Sequence, residues 1–223
     1  MIAHFTKMAL KALLRFKLHS IISMLSLVFG FLCFISAVLL SNYTQSFDQH
    51  FPNAGKIYNV IMRNSGSGGP DKFPIINEPA SRYLRTYFPE IPNIVRASTG
   101  GGSNDVLVDG RALTLFTRYV EPRFFDIFPI PTQHGLATGA ELPPNSALMT
   151  QEAALRVFGR TDVVGERLLL NNRTDIVIAG VTAKQEYPSH LQSSIPLFQT
   201  DIFVPMEISD SVRRERRLAA GAD

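Results

Sequence analysis

The residue types that most often carry catalysis or bind metals are scattered along this sequence of 223 residues. A zinc site needs several converging ligands, yet the histidines form no HExxH motif and no pair spaced four residues apart. No GxSxG or Ser-x-x-Lys motif supplies a nucleophile, and the single cysteine, Cys33, lies within an apolar run. We therefore expect no enzymatic activity, no cofactor and no metal. The histidines are His4, His19, His50, His134 and His190.

The glycine-rich segment 64–73 resembles a phosphate-binding loop only in composition. No Lys-Ser/Thr pair follows Gly66 and Gly68, and no helix is predicted to begin there. The segment is therefore predicted to be a flexible connection. Asp105 and Asp109 flank a predicted turn, where aspartate commonly forms the turn itself, so they do not indicate paired catalytic carboxylates.

The distribution of charge argues against binding of nucleic acid. The sequence pI is about 9.1, but the excess of basic residues lies near the two ends of the chain. Residues 41–209 carry 14 basic and 16 acidic side chains, so this part is close to neutral. A nucleic-acid-binding domain would carry its basic stripe on the folded part. We therefore expect no nucleic-acid partner.

Residues 21–40 form an apolar run without a charged side chain. A helix of that length extends roughly 30 Å, which is the thickness of the hydrocarbon core of a bilayer. A cleaved signal peptide is the main alternative, but its apolar region would normally be only about 7–15 residues long and would end at a small-residue cleavage site. The sequence therefore predicts an uncleaved transmembrane helix over residues 20–43.

Basic residues precede this run, whereas the first charged residue after it is Asp48. The positive-inside rule therefore places the N-terminus in the cytoplasm and the chain from about residue 44 outside. Residues 1–19 also show apolar residues at helical spacing beside the cations, which predicts an amphipathic helix on the inner lipid surface. A solvated leader that only sets the topology is the alternative. The predicted membrane-surface contacts are Lys7, Lys11, Arg15 and Lys17.

The segment after the membrane helix begins with a predicted strand–helix–strand unit. Residues 56–63 and 94–99 are rich in residues that favour strands. Between them, a helix is predicted to start at Pro79, because proline is tolerated in the first helical turn, and to end before Pro89.

The next part of the chain is rich in strand signals. The pair Asp109-Gly110 predicts a hairpin over residues 106–120. A turn at Asn171-Asn172 predicts a second hairpin over residues 166–181. A last short strand is expected at 201–205.

Two helical segments are predicted within this strand-rich part. Thr150 and Gly159 are suited to begin and to end a helix over residues 151–158. Residues 122–128 form a short apolar turn or helix that places Phe124 and Phe128 on one side. We expect Phe124, Phe125 and Phe128 to be core anchors that join two lobes, and not an exposed binding patch.

Several segments occur in a familiar order. KMALKALLRFKLHSIISMLSLVFGF resembles an elbow helix and first membrane helix, and NAGKIYNVI the start of an external domain. VEPRFFDIFPIP, SALMTQEAALRVFG, VVGERLLLNN and TDIVIAGV follow, and SHLQ and DIFVP resemble a return towards the membrane. Together they resemble the MacB-like periplasmic core domain of FtsX-like ABC transporter permeases, over about residues 3–207.

This resemblance implies an α+β fold, in which one transmembrane helix precedes a bilobed mixed α/β core domain over residues 44–208. A porter-like lobe would come from about residues 45–96 and 186–208 and a strand-rich lobe from 97–185, and residues 209–223 would be a disordered tail. The implied function is that of a permease-type subunit for export (efflux) or mechanotransmission in the bacterial inner membrane. The implied partners are the lipid bilayer, a separate cytoplasmic ATP-binding subunit, and a second copy or another permease chain.

Permeases of this family carry at least three further membrane helices after the core domain, whereas no second long apolar run follows Leu40. We therefore expect the N-terminal part of a longer permease, or a truncated relative that acts by association. The alternative function is a single-pass, membrane-anchored domain that binds or senses an extracytoplasmic ligand. Such a sensor needs a cytoplasmic output domain, and about twenty residues precede the membrane helix, which favours the permease.

The charge asymmetry around residues 20–43 leads to a prediction of topology. A reporter that fluoresces only in the cytoplasm should stay dark when it is fused after residue 200, because that residue would lie outside. Whole-cell fluorescence measures this, and the same reporter fused to the N-terminus is the bright control. Fluorescence from the fusion after residue 200 would contradict the assigned orientation.

Overall fold

The computed structural model describes residues 15–63, 78–98, 102–108, 110–191 and 199–209, together with residues 4, 6, 8, 11, 72, 73 and 76. The chain divides into two compact units, Met1–Phe47 and Asp48–Asp223. The first unit contains the long helix α1 (Lys17–Gln45), and the second contains the strands and the remaining helices. The α+β class predicted from the sequence is confirmed.

Helix α1 is 29 residues long, and none of its residues is buried. By length and composition it could cross a membrane, since it extends about 43 Å at 1.5 Å per residue. The helix exceeds the predicted span of 20–43 by two or three residues at each end. Lys7 and most of the predicted leader helix lie outside the described residues.

The second unit begins with a 3-10 helix (Ala54–Lys56) and two short antiparallel strands, β1 (Met62–Arg63) and β2 (Lys72–Phe73). The prediction of a strand over residues 56–63 is therefore wrong for most of its length. The physical reason is that the described part of the chain offers residues 57–61 no neighbouring strand. Helix α2 (Glu78–Tyr87) follows and agrees with the limits predicted from the prolines.

Seven further strands form the main sheet, which closes on itself. Their hydrogen-bonded order is β5-β8-β6-β9-β4-β3-β7, and β7 also pairs with β8. Six of the strands therefore form a closed barrel, and β5 extends the edge of β8; closure removes the free sheet edges. These strands are β3 (Gly102–Val108), β4 (Arg111–Val120), β5 (Thr132–Gly135), β6 (Ser146–Met149), β7 (Arg167–Leu170), β8 (Thr174–Thr182) and β9 (Ile202–Pro205).

Both predicted hairpins are part of this barrel. In the first, Val108 pairs with Arg111 across a turn through Gly110, whose φ is 77°. In the second, Asn171 and Asn172 have φ angles of 51° and 54° between β7 and β8. Glycine and asparagine enter this left-handed region at the lowest cost, which explains why these residue types stand at the two turns.

Two short helices lie between strands of the main sheet, α3 (Phe124–Ile127) and α4 (Gln151–Phe158). The hydroxyl oxygen of Thr150 accepts a hydrogen bond from the main-chain nitrogen of Ala153 at 3.2 Å. Gly159 ends α4 with a φ of 70°. The predicted start and end of this helix are therefore confirmed.

Alternate residues of the barrel strands face two separate clusters. All six barrel strands contribute to the first, which we call the inner cluster, so it fills the barrel. Ala153 and Ala154 of α4 also pack against it, and their small side chains let the helix approach closely. Its strand members are Val106, Val108, Leu115, Ala147, Met149, Leu168, Leu170, Ile176, Ile178, Val181, Ile202 and Val204.

The second cluster lies on the outer face of β4, β6 and β9, and we call it the phenylalanine cluster. Phe124 and Phe125 are almost completely buried here, and the ring centroid of Phe125 lies 5.8 Å from that of Phe203. Phe51, from the start of the second unit, packs edge-on against the partly buried Phe128. Phe124 and Phe125 are core residues as predicted, whereas Phe128 is only partly buried. The division into lobes remains a prediction.

Residues 94–98 form a single β-bridge, between Ala97 and Val120, instead of the predicted strand. Side chains replace part of the missing ladder. The Ser98 hydroxyl accepts a hydrogen bond from the nitrogen of Tyr119, and the Glu121 carboxylate accepts one from the nitrogen of Arg96. The local sequence favours an extended chain, but here side-chain oxygens accept hydrogen bonds that main-chain carbonyls would accept in a regular strand pair.

The burial of the phenylalanine cluster leads to a prediction of stability. Phe124→Ala should lower the free energy of unfolding by about 3–5 kcal/mol, because the change removes a buried ring and leaves a cavity. Phe128→Ala is the matched control and should cost less, because Phe128 is only partly buried. Thermal unfolding of the purified chain measures both. Equal losses would contradict the assignment of Phe124 as the central residue.

Candidate functional site

Two buried carboxylates and one partly buried carboxylate surround strand β4 and connect it with distant parts of the chain. Glu121 and Asp201 have side chains that are 10% and 4% exposed, and the side chain of Asp48 is 29% exposed. A buried carboxylate must find hydrogen-bond donors inside the protein. The partners of these three side chains therefore show how the second unit is held together.

Asp48 joins the beginning of the second unit to the segment 188–191. Its Oδ1 atom accepts hydrogen bonds from the Ser189 hydroxyl at 2.5 Å and from the nitrogen of His190 at 3.1 Å. Its Oδ2 atom lies 2.6 Å from Nδ1 of His190. The nitrogen of Asp48 donates to the carbonyl of Pro188 at 3.1 Å. One side chain thus holds together segments about 140 residues apart.

Aspartate, histidine and serine are the residue types of a catalytic triad, but their arrangement here differs from that of a triad. A nucleophilic serine must hydrogen-bond to the imidazole that takes its proton. The Ser189 hydroxyl instead donates to Asp48, accepts a hydrogen bond from the nitrogen of Leu191, and belongs to a residue that is 3% exposed. The arrangement supports a structural connection and offers no activated nucleophile.

A pair of aromatic rings connects the same two segments. The His50 ring stacks on the Tyr187 ring with centroids 5.6 Å apart, and it also lies 4.1 Å from the Phe51 ring. Phe51 is buried in the phenylalanine cluster. We call residues 48–51 and 187–191 together the joint.

Arg118 links the joint to the barrel. Its guanidinium donates to the Thr200 hydroxyl at 2.9 Å and to the carbonyls of Ser98 and His190 at 3.3 and 3.4 Å. Burial lowers the pKa of Arg118, and the negative charge of Asp48 opposes this effect. Arginine keeps its proton in proteins, so a buried positive charge from β4 faces the carboxylate of the joint.

Glu121 holds α2 and residues 94–97 against the end of β4. Its carboxylate accepts hydrogen bonds from the Arg96 side chain at 2.6 Å, the Arg96 nitrogen at 3.0 Å and the Arg85 side chain at 2.5 Å. Burial alone would raise the pKa of Glu121, but the Arg96 and Arg85 hydrogen bonds and the charge of Arg85 outweigh it, so the pKa lies below its usual range. The carboxylate is therefore ionised at neutral pH.

Asp201 connects the start of β9 with both β4 and α4. Its carboxylate accepts from the nitrogen of Phe116 at 2.9 Å and pairs with Arg156 at 2.7 Å. A cavity of about 120 Å³ lies beside it, lined by polar residues that include Glu152 and Lys184. Within the described residues, no group of three His, Cys, Asp or Glu side chains could hold a metal ion.

The predicted membrane-surface residues lie elsewhere in the chain. Lys11, Arg15 and Lys17 are exposed, and Lys7 lies outside the described residues. The guanidinium of Arg15 lies 6.0 Å from the Phe16 ring centroid. Contact of these cations with lipid remains a prediction.

Sequence reasoning missed the buried polar residues. A signal was present for one of them, since Arg118 interrupts the apolar strand LTLFTRYV, and a charge that such a strand buries needs a partner. Asp48 carried no comparable signal, because a single aspartate after a membrane helix also fits a solvated loop. The segment SHLQ, which contains Ser189 and His190, was recognised only through the family resemblance.

Residues 20–221 match the MacB-like periplasmic core domain. No curated protein matches the chain. A domain assigned to a permease of Porphyromonas gingivalis is 23% identical with a TM-score of 0.43, over 57% of this chain and 51% of that one. The periplasmic region of MacB from Actinobacillus actinomycetemcomitans is 15% identical with a TM-score of 0.37, over 51% of this chain and 48% of that one.

The extracellular domain of the ABC-type transporter YknZ from Gram-positive bacteria is a third similar structure. It is 11% identical with a TM-score of 0.42, and the match covers 61% of this chain and 65% of that one. The chain thus spans about half the length of the first two structures and less than two thirds of the third.

The network around Glu121 leads to a prediction with a defined pH dependence. Glu121→Gln should destabilise the chain by about 1.5–3 kcal/mol at neutral pH, because an amide replaces the buried carboxylate that accepts hydrogen bonds from the partly exposed Arg96 and Arg85. Since the folded pKa is lowered, the stabilisation is present above the unfolded pKa and is lost as pH falls through the folded pKa. The difference in melting temperature between wild type and variant should therefore shrink as the pH falls below about 4.

Glu166→Gln is the matched control, because Glu166 pairs with Arg160 while both side chains are about half exposed. An exposed pair contributes only about 0–1 kcal/mol, so this variant should melt close to wild type. Melting curves recorded between pH 3 and 7 measure both variants. An equal effect of the two substitutions would contradict the special role of the buried Glu121 network.

Proposed function

This chain belongs to the family of MacB-like periplasmic core domains, and on that basis we propose that it acts as part of an ABC-transporter permease. Helix α1 would anchor it in the inner membrane with the N-terminus in the cytoplasm, and the unit Asp48–Asp223 would lie outside. A separate cytoplasmic ATPase would supply the energy. The role is mechanical: helix movement would reshape the external domain.

The joint is the observation that carries this proposal. Asp48 is the third residue after the last residue of α1, so any force passed along the chain reaches it early. From there the carboxylate contacts Ser189 and His190, and Arg118 extends the connection into β4. Hydrogen bonds to charged groups are stronger than neutral ones, which suits a connection that must transmit force.

The contacts around the joint also favour a non-enzymatic role. The Ser189 hydroxyl donates a hydrogen bond to Asp48 and is buried, so it is not available to attack a substrate. Glu121 and Asp201 are each paired with arginine and with main-chain nitrogen atoms. The proposal therefore assigns the hydrolysis of ATP to the partner chain and none to this one.

Exposed cations before the membrane helix suit contact with lipid. Lys11, Arg15 and Lys17 lie on the N-terminal side of the apolar run and are exposed, and a cation near an anionic membrane surface contributes roughly 1 kcal/mol. We propose that they and Lys7 bind anionic headgroups of the inner leaflet; contact with the ATPase is the alternative.

Neutralisation of the leader cations tests this assignment. Changing Lys7, Lys11 and Arg15 to glutamine in a peptide of residues 1–19 should weaken its binding to anionic liposomes by about two orders of magnitude, measured by co-sedimentation. The control is a peptide in which His4, Thr6 and His19 are changed to glutamine, and it should bind like wild type. Unchanged binding of the neutralised peptide would move these residues to the partner.

Movement of the external domain tests the proposed function. In a Cys33→Ser background, spin labels at exposed positions 58 and 113 report the distance between the two sites. With the partner ATPase in nanodiscs, ATP should shift this distance. Asp48→Asn should abolish the shift while ATP turnover continues, because the carboxylate that connects the segments is lost.

Asp126→Asn is the matched control, since Asp126 is about half exposed and pairs only locally with Arg123. This variant should keep the ATP-dependent shift in distance. No shift in the wild type with an active ATPase would contradict mechanical coupling. ATP hydrolysis by the purified chain alone would contradict the assignment of the ATPase to another chain.

A further inference from the structure

The contact between Asp48 and His190 is placed to respond to pH. Its Oδ2–Nδ1 distance is 2.6 Å, and the His190 side chain is 52% exposed, so solvent protons reach the ring. Histidine is the side chain whose ordinary titration falls between pH 5 and 8. We propose that this contact is a proton-sensitive latch, which holds the joint more tightly when the imidazole of His190 is protonated.

The direction of the effect follows from the atoms in contact. An ionised carboxylate only accepts hydrogen bonds, so Nδ1 of His190 carries the proton in this contact. In the neutral ring, this is a hydrogen bond from an uncharged donor. A second proton on Nε2 turns the ring into a cation that faces Asp48 directly, and a bond between two charged groups is stronger.

The other charged groups near the joint do not reverse this direction. The buried guanidinium of Arg118 reaches the main-chain carbonyl of His190 at 3.4 Å, whereas the ring itself contacts the carboxylate at 2.6 Å. His50 is the second histidine of the joint, and it faces the rings of Tyr187 and Phe51. Among the contacts described for the His190 ring, the carboxylate of Asp48 is the charged partner.

The latch closes a connection that the second unit depends on. The same carboxylate binds the Ser189 hydroxyl and the nitrogen of His190, so a stronger contact with the ring secures the whole segment 188–191. If the unit lies outside the cytoplasm, as proposed above, it is exposed to the pH of the surroundings. The consequence for coupling rests on the proposed function, but the latch itself is a local property of the joint.

Amide hydrogen exchange of the full chain in nanodiscs measures the latch without any ATPase. The nitrogens of His190 and Leu191 donate to Asp48 and Ser189, so their protection factors report directly on the joint. Between pH 7.5 and 5.5, the protection factor of the His190 amide should rise by about 1.5- to 5-fold in the wild type, as expected for a half-exposed ion pair. An unchanged protection factor overturns the proposal.

His190→Asn is the decisive variant, because its side-chain amide can keep a neutral hydrogen bond to Asp48 but cannot gain a proton. It should lose the pH-dependent rise in protection. His134→Asn is the matched control and should keep the rise, because His134 lies near the Thr161 hydroxyl instead of a carboxylate. A rise that persists in His190→Asn, or that disappears in His50→Asn, overturns the assignment to His190.

A second measurement covers the case in which His190→Asn fails to fold. The ¹⁵N chemical shifts of the His190 ring in the wild-type chain should show protonation over the same pH range as the rise in amide protection. Titration outside that range overturns the proposal. Because neither measurement involves ATP or a partner, a failed latch and a failed coupling function give different results.

Discussion

A carboxylate that leaves water must be met by donors inside the protein, and this constraint organises the second unit of the chain. Glu121 and Asp201 are almost fully buried, and each takes hydrogen bonds from segments far away in sequence. Leaving either unpaired would be costly, because the charge would lose its hydration without replacement. Burial of these groups therefore favours the arrangement of strands, helix and connecting segments that brings these donors to them.

Strand β4 lies at the centre of that arrangement. The main-chain nitrogen of Phe116 donates a hydrogen bond to Asp201, and the side chain of Arg118 reaches the joint. Glu121, at the end of the strand, binds Arg85 of α2. The inner cluster on one face of β4 and the phenylalanine cluster on the other provide the apolar burial. The apolar clusters supply stability, whereas the polar contacts specify which segments meet.

The joint shows why residue types alone do not define a chemical site. Asp48, Ser189 and His190 would suggest hydrolysis if the serine donated its hydrogen bond to the histidine, as in a triad. The Ser189 hydroxyl instead donates to Asp48. The same hydrogen bonds suit the force-transmitting role proposed above. The chain belongs to the MacB-like periplasmic core domain family. Among the described residues, one helix before Asp48 is long and apolar enough to cross a membrane, and Asp48 follows it closely in sequence.

Sequence alone was sufficient for features whose causes lie within about ten residues. The apolar run of α1, the turn at Gly110, and the Thr150 and Gly159 ends of α4 all follow from local spacing and backbone preference. Closure of the barrel and the partners of the buried carboxylates were decided only by tertiary structure. The contact of Asp48 with His190 spans 142 positions in the chain, and no local pattern distinguishes such an aspartate from a solvated one, because its burial and its donors arise only when the distant segments pack together.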